Sequence, residues 1–149
     1  MENERTLLLI KPDSVHRGLI GRIVARYEDK GFNIAAMKLM HMTQAQAEDL
    51  YSPHVGKSFY DRTIKFMTSS PIVAIVIEGM DAINQVRSFN GATTPSEAHP
   101  GTIRGDFGQR VERNCVHGSD SKESAEREIP IFFKNEEILT YNKCLSEWV

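Results

Sequence analysis

The segment PIVAIVIE, residues 71–78, constrains this chain most. Its apolar run from Ile72 to Ile77 includes five Ile or Val residues and no polar alternation, the signature of a buried strand closed by Gly79. The run is far short of the roughly 20 apolar residues that a bilayer span requires. A buried strand must pair its backbone groups on both edges, so the rest of the chain has to supply further strands and covering helices.

The other segments read accordingly. Residues 5–11 form a short apolar run stopped by Pro12, which reads as a strand. Leu19, Ile20, Ile23, Val24 and Tyr27 recur at helical spacing, with Gly31 as a C-cap. Residues 33–42 read as a second strand, Thr43 and Gln46 as a capping box opening a helix over 44–51, and residues 57–67 as another helix. Asp81 is placed to N-cap a helix with Ala82, Ile83, Val86 and Phe89 on one face. Residues 90–108, NGATTPSEAHPGTIRGDFG, read as a long ordered loop, a feature usually tied to function. A short strand at 114–117 and a helix capped by Asp120, with Glu123 three residues on, complete the order. The tail from 135 carries Ile138, Leu139, Leu145 and Trp148 and is expected to pack against the domain or a neighbour. The pattern β-α-β-(αα)-β-α-loop-β-α predicts an α+β fold of the ferredoxin-like, split βαβ kind: a four-stranded antiparallel sheet covered by helices. The 149 residues fit one domain, 1–149, which needs no disulfide or metal to be stable.

Charge narrows the functional classes. The 18 basic residues nearly cancel the 20 acidic ones, so a net charge of −2 offers no bulk attraction to nucleic acid or to an anionic membrane. Acidic Glu2 and Glu4 stand where a signal peptide carries basic residues, and the expected location is the cytoplasm. Cys115 and Cys144 lack CxxC spacing and read as free thiols.

Familiar catalytic motifs are missing. GKS at 56–58 is not a Walker A loop, because the motif's first glycine would fall at Tyr51, and the sequence has no GxGxxG, HExxH or GxSxG. Four of the five histidines read as surface or loop residues. His117 differs, because NCVHGSDS turns at Gly118 directly into a helix whose N-terminus favours an anion beside the imidazole. Spacing leaves open whether Glu128, farther along that helix, reaches His117. Cys115 and His117 alone are too few ligands for a zinc site. Arg87 and Arg104 flank the glycine-rich loop, with Thr93 or Thr94 inside it, a set suited to phosphate oxygens.

NCVHGSDSKESAEREI, with RTLLLIKPD, LIGRIVARYEDKGF and GATTPSEAHPGTIRGDFG, closely resembles the nucleoside diphosphate kinases, in register over residues 5–133. The resemblance implies a ping-pong kinase that moves the γ-phosphate of a nucleoside triphosphate, mainly ATP, to nucleoside diphosphates through a phosphohistidine, with broad base and sugar specificity. It implies Mg²⁺ held by the phosphates, with Asp120 reaching it through water, and a homo-oligomer, a hexamer rather than a tetramer. By position, His117 matches the nucleophile, Glu128 its orienting carboxylate, and Ser119 with Glu123 the supporting residues. Lys11 and Asn114 match contacts to sugar hydroxyls and terminal phosphate, and Tyr51 a neighbour of the histidine. Arg87, Thr93, Arg104 and, more weakly, His54 match the phosphate set, while Phe59 and Val111 match the two sides of a base clamp.

Three positions depart from the family pattern. Thr94 and Cys115 look peripheral, whereas Pro130 is expected to end or kink its helix at Ile129 and so to disturb Glu128. Two rival functions carry different expectations. A nucleotide sensor on this frame would bind without transferring. A single-strand nucleic-acid binder would need outward aromatics on its central strands, and LLLIK, PIVAIVIE and NCVH contain none.

Overall fold

The computed structural model describes residues 3–144 and 146–149. Four strands, β1 (Asn3–Ile10), β2 (Asn33–Met40), β3 (Ile72–Met80) and β4 (Val116–Gly118), form one sheet in the order β2-β3-β1-β4. Every neighbouring pair is antiparallel. This is the expected split βαβ arrangement.

β3 explains why the sheet is covered on both faces. Its side chains alternate between two cores, as a period of two requires. Ile72, Ala74 and Val76 join Leu7 and Leu9 of β1 on one side, and Val73, Ile75 and Ile77 join Leu8 and Ile10 on the other. The first core is roofed by α3 (Gln44–Leu50), α4 (Tyr60–Met67) and α7 (Lys122–Phe132), the second by α2 (Ile20–Lys30) and α5 (Ala82–Asn90). Each fully buried aliphatic side chain stabilises the fold by about 1.5–3 kcal/mol.

Several local expectations give way. Gly79 does not close β3, which runs on to Met80; a Cβ there would lie 2.5 Å from the Phe32 ring, so glycine is needed for packing. Asp81, at φ +49°, makes no side-chain cap to the α5 backbone and accepts instead from Asn84 Nδ2 at 3.0 Å. The cap comes from Glu4, whose Oε1 accepts from the Ile83 N–H at 3.3 Å. The cap of α7 is Ser121, not Asp120: its Oγ accepts from the Ser124 N–H at 3.1 Å. Residues 90–108 contain a 3₁₀ turn (Pro95–Glu97) and a short helix, α6 (Ile103–Phe107). A further helix, α1 (Pro12–His16), starts directly after β1 with Pro12 at its first position. The tail follows β2, the Leu139 N–H donating to Ala35 O at 2.9 Å and Tyr141 Oη to Ile34 O at 2.8 Å. Ile138 packs on the core, Leu139 and Trp148 are exposed, and Leu145 lies outside the described residues.

Pro130 neither ends α7 nor breaks it at Ile129. The helix continues to Phe132, and the Phe133 N–H donates to Ile129 O at 3.0 Å. Pro130 falls in the last turn and is exposed, so one carbonyl loses its helical donor, while burial of Phe132 and Phe133 holds the turn in place. An interior proline costs about 3 kcal/mol, and its stiffening of the unfolded chain returns roughly 0.4–1 kcal/mol. Pro130→Ala should therefore raise stability by about 2 kcal/mol and the thermal unfolding midpoint by several degrees. An unchanged or lower midpoint would show that the turn is already relaxed around the ring.

Candidate active site

His117 is the middle residue of β4, opposite Leu9 of β1, so its backbone is fixed by the ladder to β1 at one edge of the sheet. Its Nε2 lies 2.9 Å from Glu128 Oε1, and Ser119 Oγ donates to the same oxygen at 2.8 Å. Ser119 is held in turn by the Leu7 backbone, its N–H donating to Leu7 O at 3.1 Å and its Oγ accepting from the Leu7 N–H at 3.4 Å. A carboxylate only accepts, so Nε2 carries the proton, and in the neutral form of the ring the lone pair is left on Nδ1. Glu128 is 5% exposed, and α7 delivers it intact through the turn that contains Pro130.

Tyr51, the residue after α3, sets its ring edge-on to His117, with centroids 6.3 Å apart at 80°. Its buried hydroxyl has no hydrogen-bond partner among the described residues. Burial, with the Glu128 charge adding to it, pushes its pKa well above the ordinary phenol range, so it remains an O–H donor at neutral pH.

The approach to His117 is strained. Cys115 has φ +75°, and the Val116 N–H donates back to Asn114 O at 2.9 Å, a γ-turn of the costly left-handed kind. Four groups hold it. The Cys115 N–H donates to Asp13 Oδ2 at 3.1 Å, and the Cys115 carbonyl accepts from Ser14 Oγ at 3.1 Å and from the Lys11 N–H at 2.9 Å. Arg104, 6% exposed, donates to the carbonyls of Gly91, Asn114 and Val116 at 2.8, 3.1 and 2.7 Å. Three of its five N–H groups are thus occupied by backbone.

Lys11 and Asn114 meet, Nζ donating to Oδ1 at 2.7 Å, and Asn114 Nδ2 donates to the Thr93 carbonyl at 3.0 Å. Burial, reinforced by Arg104, lowers the Lys11 pKa to about 8. Arg87 is exposed and reaches the Gly118 carbonyl at 3.5 Å. Gly118 itself is required by close approach, since a Cβ would lie 2.8 Å from Asn90 Nδ2. The His54 ring lies 5.5 Å from that of Phe59, and Lys57 Nζ donates to His54 Nδ1 at 2.8 Å. Burial and the Lys57 charge hold the His54 pKa below its ordinary value. Phe59 and Val111 are exposed, Val111 within the turn between Arg110 and Arg113. Glu123 is exposed on α7, and among the described residues no hydrogen bond or ion pair joins it to His117, Glu128 or Ser119.

Asp13 and Ser14 were not singled out by the sequence, although Pro12 as a helix starter was a signal that the chain folds there. A cleft of about 610 Å³ between β1, β3 and α7 contains none of the site residues. Among the described residues no group of three or more His, Cys, Asp or Glu is arranged to hold a metal ion.

The chain matches the family model described as nucleoside diphosphate kinase over residues 4–138. It is 50% identical to the nucleoside diphosphate kinase of Desulforamulus reducens, covering 98% of each chain, and 49% identical to that of Archaeoglobus fulgidus, covering 98% of this chain and 97% of the relative. The solved nucleoside diphosphate kinase of Halobacterium salinarum, in complex with CDP, superposes with a TM-score of 0.96 at 44% identity, over 99% of this chain and 98% of that one. The histidine–carboxylate pair on β4 and α7 thus sits in a chain that belongs to the nucleoside diphosphate kinase family, the phosphotransferases that exchange phosphate between nucleotides.

Proposed function

We propose that His117 carries the phosphoryl group in a ping-pong exchange, and the observation behind this is the 2.9 Å bond between Nε2 and Glu128. With the proton held there, the Nδ1 lone pair attacks the γ-phosphorus, an Nδ1–P bond forms, and the bond to the bridging oxygen breaks as the nucleoside diphosphate leaves. Glu128 balances the positive charge that develops on the ring. The reverse step follows when the terminal oxygen of a second diphosphate attacks the phosphohistidine. Little covalent help is needed beyond placement and charge neutralisation.

Lys11, Arg87 and the unused N–H groups of Arg104 supply that neutralisation, with Thr93, Asn114, the Tyr51 hydroxyl and His54 as hydrogen-bonding groups. Ser119 steadies Glu128; Glu123, solvated on α7, has no part. Mg²⁺ bound to the nucleotide's phosphates would shield their negative charge. The donor set fits such an ion, which takes substrate oxygens and few protein carboxylates: Asp120 is exposed, and the Ser124 hydroxyl beside it keeps its pKa below the ordinary value, so it stays ionised to accept from a metal-bound water. Phe59 and Val111 hold the base by its faces, without a polar reader, which favours broad base specificity.

The whole chain, 1–149, serves as one kinase domain acting in the cytoplasm on nucleoside tri- and diphosphates, with ATP as main donor. No helix among the described residues is long and apolar enough to cross a membrane. The chain assembles as a homo-oligomer, a hexamer rather than a tetramer; the edge position of β2, which exposes Met37 and Leu39, supports self-association as such.

Brief exposure to ATP and Mg²⁺ without acceptor should add one acid-labile phosphoryl group, visible by intact mass, absent in His117→Ala and discharged by GDP as GTP. Nucleotide binding with no adduct would leave a sensor. Lys11 gives a second test. Its pKa of about 8 means that free protein above that pH carries a neutral amine, whereas a bound phosphate restores the charge. ADP binding at pH 8 should therefore take up protons, measured as a dependence of binding heat on buffer ionisation enthalpy, and affinity should fall as pH rises past 8. Lys11→Met should abolish the uptake; uptake that persists in the variant would assign it elsewhere.

A further inference from the structure

Arg127 precedes Glu128 on α7, yet its guanidinium spans to the end of α3. Nη1 donates to the Asp49 carbonyl at 2.9 Å and Nη2 to the Leu50 carbonyl at 3.2 Å. These carbonyls lie in the last turn of α3, where helical N–H partners run out, and a cation there also suits the helix dipole. The next residue is Tyr51, whose ring meets His117. Nη2 also lies 3.5 Å from Glu128 Oε2, the oxygen not taken by His117 and Ser119. A buried carboxylate with only neutral donors is costly, and Arg127 brings a positive charge to its open side. A second link joins the same two helices, Gln46 Nε2 donating to Ile131 O at 3.2 Å.

We infer that Arg127 is a positioning residue for phosphoryl transfer, clamping the end of α3 to α7 so that Tyr51 and Glu128 keep fixed places around His117. The inference rests on the reading of His117 as the nucleophile. Arg127 touches no reacting atom. Its effect runs through the two side chains that do border the imidazole, so its loss acts on the transfer step and leaves nucleotide binding alone.

The test compares the parent with Arg127→Met and Arg127→Lys, each as the full chain. Three quantities are read: the single-turnover rate of His117 phosphorylation by ATP and Mg²⁺, the ADP dissociation constant, and the ¹⁵N resonances of His117. Arg127→Met should slow phosphorylation by about tenfold or more, the scale for losing a partner one step removed from a reacting centre. ADP affinity should stay within about twofold. The ¹⁵N pattern of a protonated Nε2 and a lone-pair Nδ1 should blur towards mixed tautomers. Arg127→Lys should recover part of the rate, because it returns the charge beside Glu128 without the two-carbonyl fork; if Met at this position prevents folding, the lysine variant's slower transfer at unchanged ADP affinity carries the test. A methionine variant that transfers at the parent rate, or loses rate and binding equally, would overturn the clamp, as would a lysine variant with no recovery. The parent separates the two levels: without a phosphohistidine the nucleophile reading falls and the clamp with it, whereas an adduct that forms equally in parent and Arg127→Met removes the clamp alone.

Discussion

Burial of the Glu128 carboxylate is the constraint around which this site is built. A carboxylate that is 5% exposed carries a large desolvation cost unless its oxygens are matched by donors and charge. Here the matching groups come from separate parts of the chain: His117 and Ser119 from β4 and the turn after it, Arg127 from α7. They converge only when β4 pairs with β1 and α7 packs over the same face of the sheet. The tautomer of His117 is therefore a consequence of tertiary structure. Any shift of α7 relative to the sheet leaves an unpaired buried charge, and so the core that holds α7 also holds the chemistry.

The γ-turn at Cys115 stores strain next to this pair. A non-glycine residue in the left-handed region costs of order 1–3 kcal/mol and survives only where its surroundings over-determine it. Lys11, Asp13, Ser14 and Arg104 bond the backbone at or beside the turn, so the strain is shared among several contacts that stabilise by about 1 kcal/mol each. The benefit is local crowding. Asn114, Cys115, Val116 and His117 are compressed into the space between β1 and α6, which lets Asn114 meet Lys11 and the Thr93 carbonyl while His117 still pairs with Leu9. Arg104 is at once a brace for this turn and a buried cation whose charge adds to burial in lowering the Lys11 pKa.

The sheet and the long helices were legible because their periodicities are strong: 71–78 as a buried strand, 19–27 as an amphipathic helix, Thr43 with Gln46 as a capping box that the structure contains. The short helices α1 and α6 were not, since five residues hold little more than one turn and carry no period. Caps failed where two eligible residues stood side by side, as at Asp120 and Ser121, or where the cap came from far along the chain, as Glu4 does for α5. Pro130 shows a local rule overruled by burial of the residues after it. Glu128 was identified by resemblance, but its distance to His117 depended on how α7 docks, which no spacing along the sequence encodes. Arg127 is the clearest omission: its partners are backbone carbonyls about 78 positions away, and a helical arginine gives no sign of them.

The proposed contacts divide the cleft into two regimes. At the transfer end, Glu128, Asn114, Arg104 and Ser119 are buried, and every one is fixed by hydrogen bonds to a strand, a helix end or a loop carbonyl. At the base end, Phe59 and Val111 are exposed, and the polar groups near Phe59, His54 and Lys57, pair with each other rather than with the backbone. Positional error costs rate where atoms react, because effective alignment accounts for much of the barrier reduction. It costs little where a planar base only slides between an aromatic face and an aliphatic side chain, since no directional bond is lost. A cleft rigid at one end and loose at the other is thus suited to a constant reacting group carried by a variable base, and its tolerance comes from where the buried hydrogen bonds stop.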